Sequence, residues 1–213
     1  MNILICYDEQ DGEVGHFVER CMERTVEILD DLGFNLECLD SAQLNPLRVS
    51  EIANQNGDNP FVSIAYSHGR EEALIVKSRN EAYISTTVNQ NSFRNAFFYT
   101  WACQSGNILG EELCRNYGCV TYIGYDDNVV TVGPLDPALE IFVDCAVHGL
   151  ERFYVEDITA IEALNSMKDA YDEAWEELIE TDQFAAIQIQ DLSNALVISG
   201  NEELKFNELL DAV

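Results

Sequence analysis

Two residues of this sequence are of the types that act together on a carbonyl: His68, in the run Tyr66-Ser67-His68-Gly69, and Cys103, in the run Trp101-Ala102-Cys103-Gln104-Ser105-Gly106. A thiol becomes a good nucleophile at neutral pH when a neighbouring imidazole takes its proton. The same imidazole then protonates the leaving amine. Gly69 follows the histidine, where a missing side chain lets a substrate carbonyl approach the backbone. The amides of Gly69 and Cys103 are therefore the expected oxyanion donors. No carboxylate stands out in the sequence as the group that orients His68.

The elements that must position this pair are legible from apolar runs and their stops. Asn2 to Tyr7, Phe34 to Leu39, Phe61 to Tyr66, Ala96 to Ala102 and Cys119 to Gly124 read as strands. Helices are expected over His16 to Leu32, Leu44 to Asn54, Ile108 to Asn116, Pro134 to Arg152 and Ile158 to Thr181, with Gly33 and Gly118 as stops. Ala73 to Lys77 and Ala82 to Thr86 read as a small hairpin, Asn89 to Asn95 as a polar helix and Ala195 to Ser199 as a last strand. Apolar strands alternating with helices imply a parallel sheet covered on both faces, a three-layer α/β sandwich. In such sheets ligands bind at the carboxyl ends of the strands, and His68 and Cys103 each follow a strand. One domain over residues 1–213 is expected, with 1–153 as the core sheet and catalytic loops and 154–213 as C-terminal helices with the last strand.

From Ala65 to Asp127 the sequence resembles the caspase-like cysteine peptidases of clan CD, particularly the CHAT, separase and gingipain branch. His-Gly after one strand and Cys-x-Ser-Gly after the next carry that resemblance. It continues through Leu113 to Asp127 (LCRNYGCVTYIGYDD), which is similar to that branch's Ala-Gly-Cys, apolar strand, glycine and acid. The fold it implies is a caspase-like three-layer αβα sandwich with a mostly parallel central sheet. It also implies a His68–Cys103 dyad without cofactor, and an acid, Asp126 or Asp127, lining the S1 pocket and receiving an Arg or Lys side chain at P1. Leu196 to Phe206 is similar to the Gly-Asp-Pro-x-Leu ending of gingipain-like domains, with Asn201 and Glu202 in place of Asp-Pro. Trp101 stands where caspases carry glutamine, which speaks against a preference for Asp at P1. Many such relatives serve in prokaryotic defence or regulated cleavage, often under the control of an activating protein.

Other readings of the same residues remain. Tyr125-Asp126-Asp127-Asn128 is also good turn chemistry. Asp8, Glu9 and Asp11 after the first strand suit a phosphorylated receiver domain, but no lysine follows the fifth strand to complete one. His148-Gly149 suits a helix end, and His16 a helix start. A catalytically silent caspase-like module that binds a protein partner is the alternative to an endopeptidase.

A net charge of −28 opposes direct binding of nucleic acid or anionic lipid and favours basic peptides or a basic partner. With 47% hydrophobic residues the chain has a core to bury. The first residues read as a strand rather than a signal peptide, and no apolar run is long enough to span a membrane. Seven cysteines, an odd number without CxxC or Cys/His metal spacing, point to reduced thiols, no metal and a cytoplasmic setting.

Overall fold

A computed structural model describes residues 1–30 and 32–211. The chain runs β1 (Asn2–Tyr7), α1 (Gly15–Asp30), β2 (Asn35–Leu39), α2 (Pro46–Asn54), β3 (Phe61–Tyr66), β4 (His68–Arg70), β5 (Ala73–Val76) and β6 (Glu81–Ser85). It continues through β7 (Ala96–Trp101), α3 (Ile108–Tyr117), β8 (Thr121–Tyr125), α4 (Leu139–Glu156), α5 (Ala160–Leu178), α6 (Gln183–Ala195), β9 (Leu196–Gly200) and α7 (Phe206–Asp211). Six strands form the central sheet in the order β2-β1-β3-β7-β8-β9. All neighbours are parallel except β8 and β9.

Alternation along each strand divides the core between the two faces of this sheet. Ile3, Ile5, Val62, Ile64, Phe97 and Tyr99 pack with residues of α1, α4, α5 and α6. Leu4, Cys6, Phe61, Ala65 and Phe98 pack on the other side with residues of α2 and α3 and with the small sheet β4-β5-β6. This is a three-layer arrangement around a mostly parallel sheet.

The register fixes the site. Tyr7 pairs with Tyr66, and Tyr66 with Trp101, so β1, β3 and β7 end level with one another. The residues that follow those strands emerge on one rim.

Several elements differ from the sequence expectation. The hairpin gains β4 as a third strand, which begins at His68 itself. The helix expected from Pro134 starts only at Leu139, because Gly133, Pro134 and Pro137 hold the preceding segment out of helical geometry. Residues 89–95 form only a 3₁₀ turn, Gln90–Phe93. Helix α6 lay hidden in the sequence: Asp182 caps it by accepting from the Ala185 N–H at 3.0 Å, while the exposed Phe184 and Ile187 blur its apolar stripe. The last strand is present and antiparallel. Gly118, at φ 78°, takes the left-handed conformation that ends α3. Among the described residues no helix is long and apolar enough to cross a membrane.

All seven cysteines are free thiols, and burial pushes several above the ordinary 9.0, Cys145 to about 12. Burial also holds Tyr66, Tyr83 and Tyr171 well above the usual phenol range. The folded state therefore keeps these protons more tightly than the unfolded chain. Their contribution to stability is complete below the unfolded values and is lost as pH rises through the folded ones. The melting temperature followed by circular dichroism is expected to fall steadily from about pH 9 to about pH 11.

Candidate active site

The loop after β3 is held from two sides. Ser67 N–H donates to the Trp101 carbonyl at 3.2 Å, continuing the sheet ladder, and Ser67 Oγ lies 2.7 Å from the Tyr83 hydroxyl in β6. His68 thus opens β4 with its side chain 15% exposed. The loop after β7 is equally constrained. Ser105 is fully buried, with Oγ 2.7 Å from Thr100 Oγ1 and donating to the Ala102 carbonyl at 3.0 Å. Gln104 adopts a left-handed φ of 56°, and its N–H donates to the Asp127 carbonyl at 2.9 Å. These contacts present the half-buried Cys103 at the rim.

His68 and Cys103 line one cleft of about 430 Å³, with Trp101, Lys77, Val129 and Gln188 among its walls. Gly69 joins the two loops. A Cβ there would overlap the Cys103 carbonyl oxygen and come within 2.9 Å of the Ala102 Cβ. The missing side chain thus lets the Cys103 backbone pack directly against the loop that carries His68. Among the described residues the Cys103 N–H meets no backbone acceptor, which leaves it available to an oxyanion.

The surroundings of Cys103 favour the protonated thiol. Burial raises its pKa, and Asp127 adds to the rise; the Val129 N–H, its own N–H and Lys77 pull the other way without reversing it. Cys103 Sγ accepts from the Val129 N–H at 3.4 Å.

Asp11 is the residue that sequence reasoning missed. Its Oδ1 accepts from the N–H groups of Glu13 at 2.8 Å and Val14 at 2.9 Å, and stands 3.1 Å from His68 Nε2. Burial opposes its charge, but those N–H groups and His68 outweigh burial and hold the carboxyl below its usual range. The approach to Nε2 has an ion-pair distance without hydrogen-bond alignment, since Nε2 has no partner in hydrogen-bonding geometry. Alignments of this kind tighten when substrate binds. The signal available in the sequence was the acid at the carboxyl end of β1, the strand beside β3.

Asp126 and Asp127 follow β8 and lie next to the cleft rather than in it. They line a hollow of about 370 Å³ together with Asp191 of α6, and Asn128 and Val130 belong to both cavities. The Asp126 N–H donates to the Ala195 carbonyl at 2.9 Å and its carbonyl accepts from Asn107 Nδ2 at 2.7 Å, so the turn is tied to α6 and to the start of α3. His16 is a loop anchor, with Nε2 2.8 Å from the Val132 carbonyl, and His148 lies within α4.

No family model matches this sequence, and no curated protein matches it either. Solved structures do. A crystal structure of caspase-1 from Spodoptera frugiperda superposes with a TM-score of 0.59 at 12% identity, covering 94% of this chain and 85% of that one. The structure described as pro-sf-caspase-1 gives 0.59 at 10% identity, covering 96% and 93%. The fold is caspase-like.

At such identity the likeness carries the architecture, and the chemistry must come from the residues. In this caspase-like frame His68, Cys103 and Asp11 leave three neighbouring parallel strands at one rim. With Nε2 turned toward Asp11, Nδ1 is the ring nitrogen left free of that acid. Asp11, Glu13 and His68 also offer ligand atoms within 4.8 Å of one another. Glu13 is paired with Lys77, however, and Asp11 already accepts two backbone N–H groups, so both acids have partners within the chain.

The contacts of Asp11 suit it to orient the His68 ring. Asp11→Asn keeps an oxygen for the Glu13 and Val14 N–H groups while removing the charge beside the imidazole. Its kcat is expected to fall roughly tenfold, a fraction of what a whole acid–base group supplies, with KM little changed. A merely structural role would move the melting temperature instead of splitting kcat from KM.

Proposed function

We propose that this protein is a cysteine endopeptidase working through the His68–Cys103 dyad. Cys103 Sγ attacks the peptide carbonyl carbon while His68 takes the thiol proton. The developing oxyanion is held by the N–H groups of Cys103 and Gly69. His68 gives the proton to the departing amine, leaving a thioester on Cys103. Water, deprotonated by His68, then releases the acid product and restores the thiol. The observation that carries this reading is an imidazole and a half-buried thiol lining one cleft, with no backbone acceptor for the Cys103 N–H among the described residues.

The preference we propose is for Arg or Lys at P1. Three carboxylates, Asp126, Asp127 and Asp191, line the hollow that adjoins the cleft. Carboxylates pair well with guanidinium, and the net charge of −28 attracts basic chains to the whole surface. Protein or peptide substrates rich in basic residues follow, with an activating partner that aligns the resting dyad and a reducing, cytoplasmic setting for the free thiols. The test is a panel of fluorogenic Arg, Lys, Asp and Leu peptides, together with labelling of Cys103 by a basic acyloxymethyl ketone. Turnover of none of them and no labelling would instead favour a silent module that binds its partner through the same cleft.

A further inference from the structure

Two of the free thiols meet where α3 turns back toward β8. Cys114 lies in the second half of α3, and Gly118, left-handed at φ 78°, ends the helix and reverses the chain. The Cys119 N–H then donates to the Leu113 carbonyl at 3.0 Å, which lays Cys119 against the turn that carries Cys114. A Cβ built at Gly200 would stand 3.0 Å from Cys114 Sγ and overlap the Val120 carbonyl oxygen, so that sulfur sits beside the residue that follows Cys119. The two side chains touch: burial first, and then the Cys114 thiol through a side-chain hydrogen bond, hold the Cys119 pKa well above the ordinary 9.0.

They differ in access. Cys114 is half-buried and lines a surface hollow of about 300 Å³ together with Arg115, Ser199 and Gly200, and its thiol donates to the Ser199 carbonyl at 3.5 Å. Cys119 is 4% exposed, with Sγ 3.2 Å from the Ala96 carbonyl. A dissolved reagent therefore meets Cys114, while Cys119 needs only to meet its neighbour. Little is lost when the two S–H groups go. A thiol is a weak donor, and the Ala96 carbonyl also accepts from the Val120 N–H at 2.9 Å.

We infer that Cys114 and Cys119 form a reversible thiol–disulfide pair, oxidised by small-molecule disulfides such as glutathione disulfide that enter through the hollow. The Cys114 thiolate attacks one sulfur of glutathione disulfide. The S–S bond breaks, one glutathione leaves as a thiolate and takes up a proton, and a mixed disulfide remains on Cys114. Cys119 then loses its proton and attacks the Cys114 sulfur, expelling the second glutathione, on which that proton ends. Two protein thiols have given up two electrons, and one glutathione disulfide has become two glutathiones. Because burial holds the Cys119 proton, the second step is the slower. The product ties the end of α3 to the start of β8, next to the edge strand β9. Neither step involves His68 or Cys103.

Full-length Cys103→Ala, which keeps the nucleophile out of the exchange, would be incubated with excess glutathione disulfide, quenched with iodoacetamide and digested with trypsin for mass spectrometry. Arg115 separates the two cysteines, so only a disulfide keeps their tryptic peptides together, and fragmentation of the linked pair distinguishes Cys119 from Cys145. The Cys114–Cys119 link is expected as the main product in protein whose circular dichroism is unchanged. A mixed disulfide on Cys114, heavier by about 305 Da, should precede it, and dithiothreitol should reverse both. Adding Cys119→Ser should leave the mixed disulfide as the end point. Adding Cys114→Ser should slow loss of the Cys119 thiol at least about tenfold, because burial then shields it from the reagent. A Cys114 that does not react, a mixed disulfide that persists with Cys119 in place, a Cys119 linked to another cysteine, or a Cys119 thiol lost as fast without Cys114 would each overturn the pair. Absence of peptidase activity in the wild type would leave every one of these outcomes unchanged.

Discussion

Cys103→Ala is expected to lower kcat/KM for a basic peptide by roughly 10⁴ or more, with His68→Ala close behind and the double variant no worse than the first. The two groups act as one unit, so removing either removes the proton transfer and the covalent intermediate together. The fold should survive. Cys103 Sγ accepts a hydrogen bond from the Val129 N–H, and losing that bond costs about 1 kcal/mol. The resting thiol adds a second readout, since burial holds its pKa above the ordinary 9.0. A thiol with a raised pKa is protonated at neutral pH, and its thiolate fraction grows about tenfold per pH unit until the raised value is passed. Alkylation of free enzyme by iodoacetamide should therefore be slow near pH 7 and still climbing beyond pH ~9. Peptide turnover should not wait on that ionisation, because within the complex His68 takes the thiol proton. Turnover that persists in Cys103→Ala would end the proposal.

The parts of this site that were legible in the sequence are those encoded locally. Tyr66-Ser67-His68-Gly69 and Ala102-Cys103-Gln104-Ser105-Gly106 each follow a strand so apolar that its end is unmistakable, and the parallel register of Tyr66 with Trp101 does the rest. Asp11 was invisible as a partner because its contact with His68 spans the β1–β3 pairing, and the same run also reads as the acidic pocket of another fold. Asp191 and Gln188 were hidden with their helix: α6 carries exposed Phe184 and Ile187, so its stripe does not mark one face. A second reason for Gly69 was hidden in the same way. A glycine beside His68 announces a close approach, but only the folded chain brings the Cys103 backbone there. Local pattern specifies the strand ends, whereas the groups that tune them arrive from distant segments.

The acidic hollow sets the other large expectation, and its exposure determines how the effect divides. Asp126, Asp127 and Asp191 are all solvent-exposed, so each ion pair with an arginine side chain is worth no more than about 1 kcal/mol. Single substitutions Asp126→Ala, Asp127→Ala or Asp191→Ala are thus expected to raise KM for an Arg peptide only about two- to fivefold. All three together approach 3 kcal/mol, so the triple variant should raise it by roughly a hundredfold. Because the pairs are exposed, salt should weaken the wild type's preference for Arg over Leu, most steeply below about 0.15 M ionic strength, and the triple variant should lose that dependence. Asp127 raises the Cys103 pKa, so its removal should if anything speed alkylation by a small neutral reagent. A triple variant with unchanged KM, or one in which alkylation and KM worsen together, would mean that these carboxylates hold the turn after β8 in shape and receive no substrate side chain.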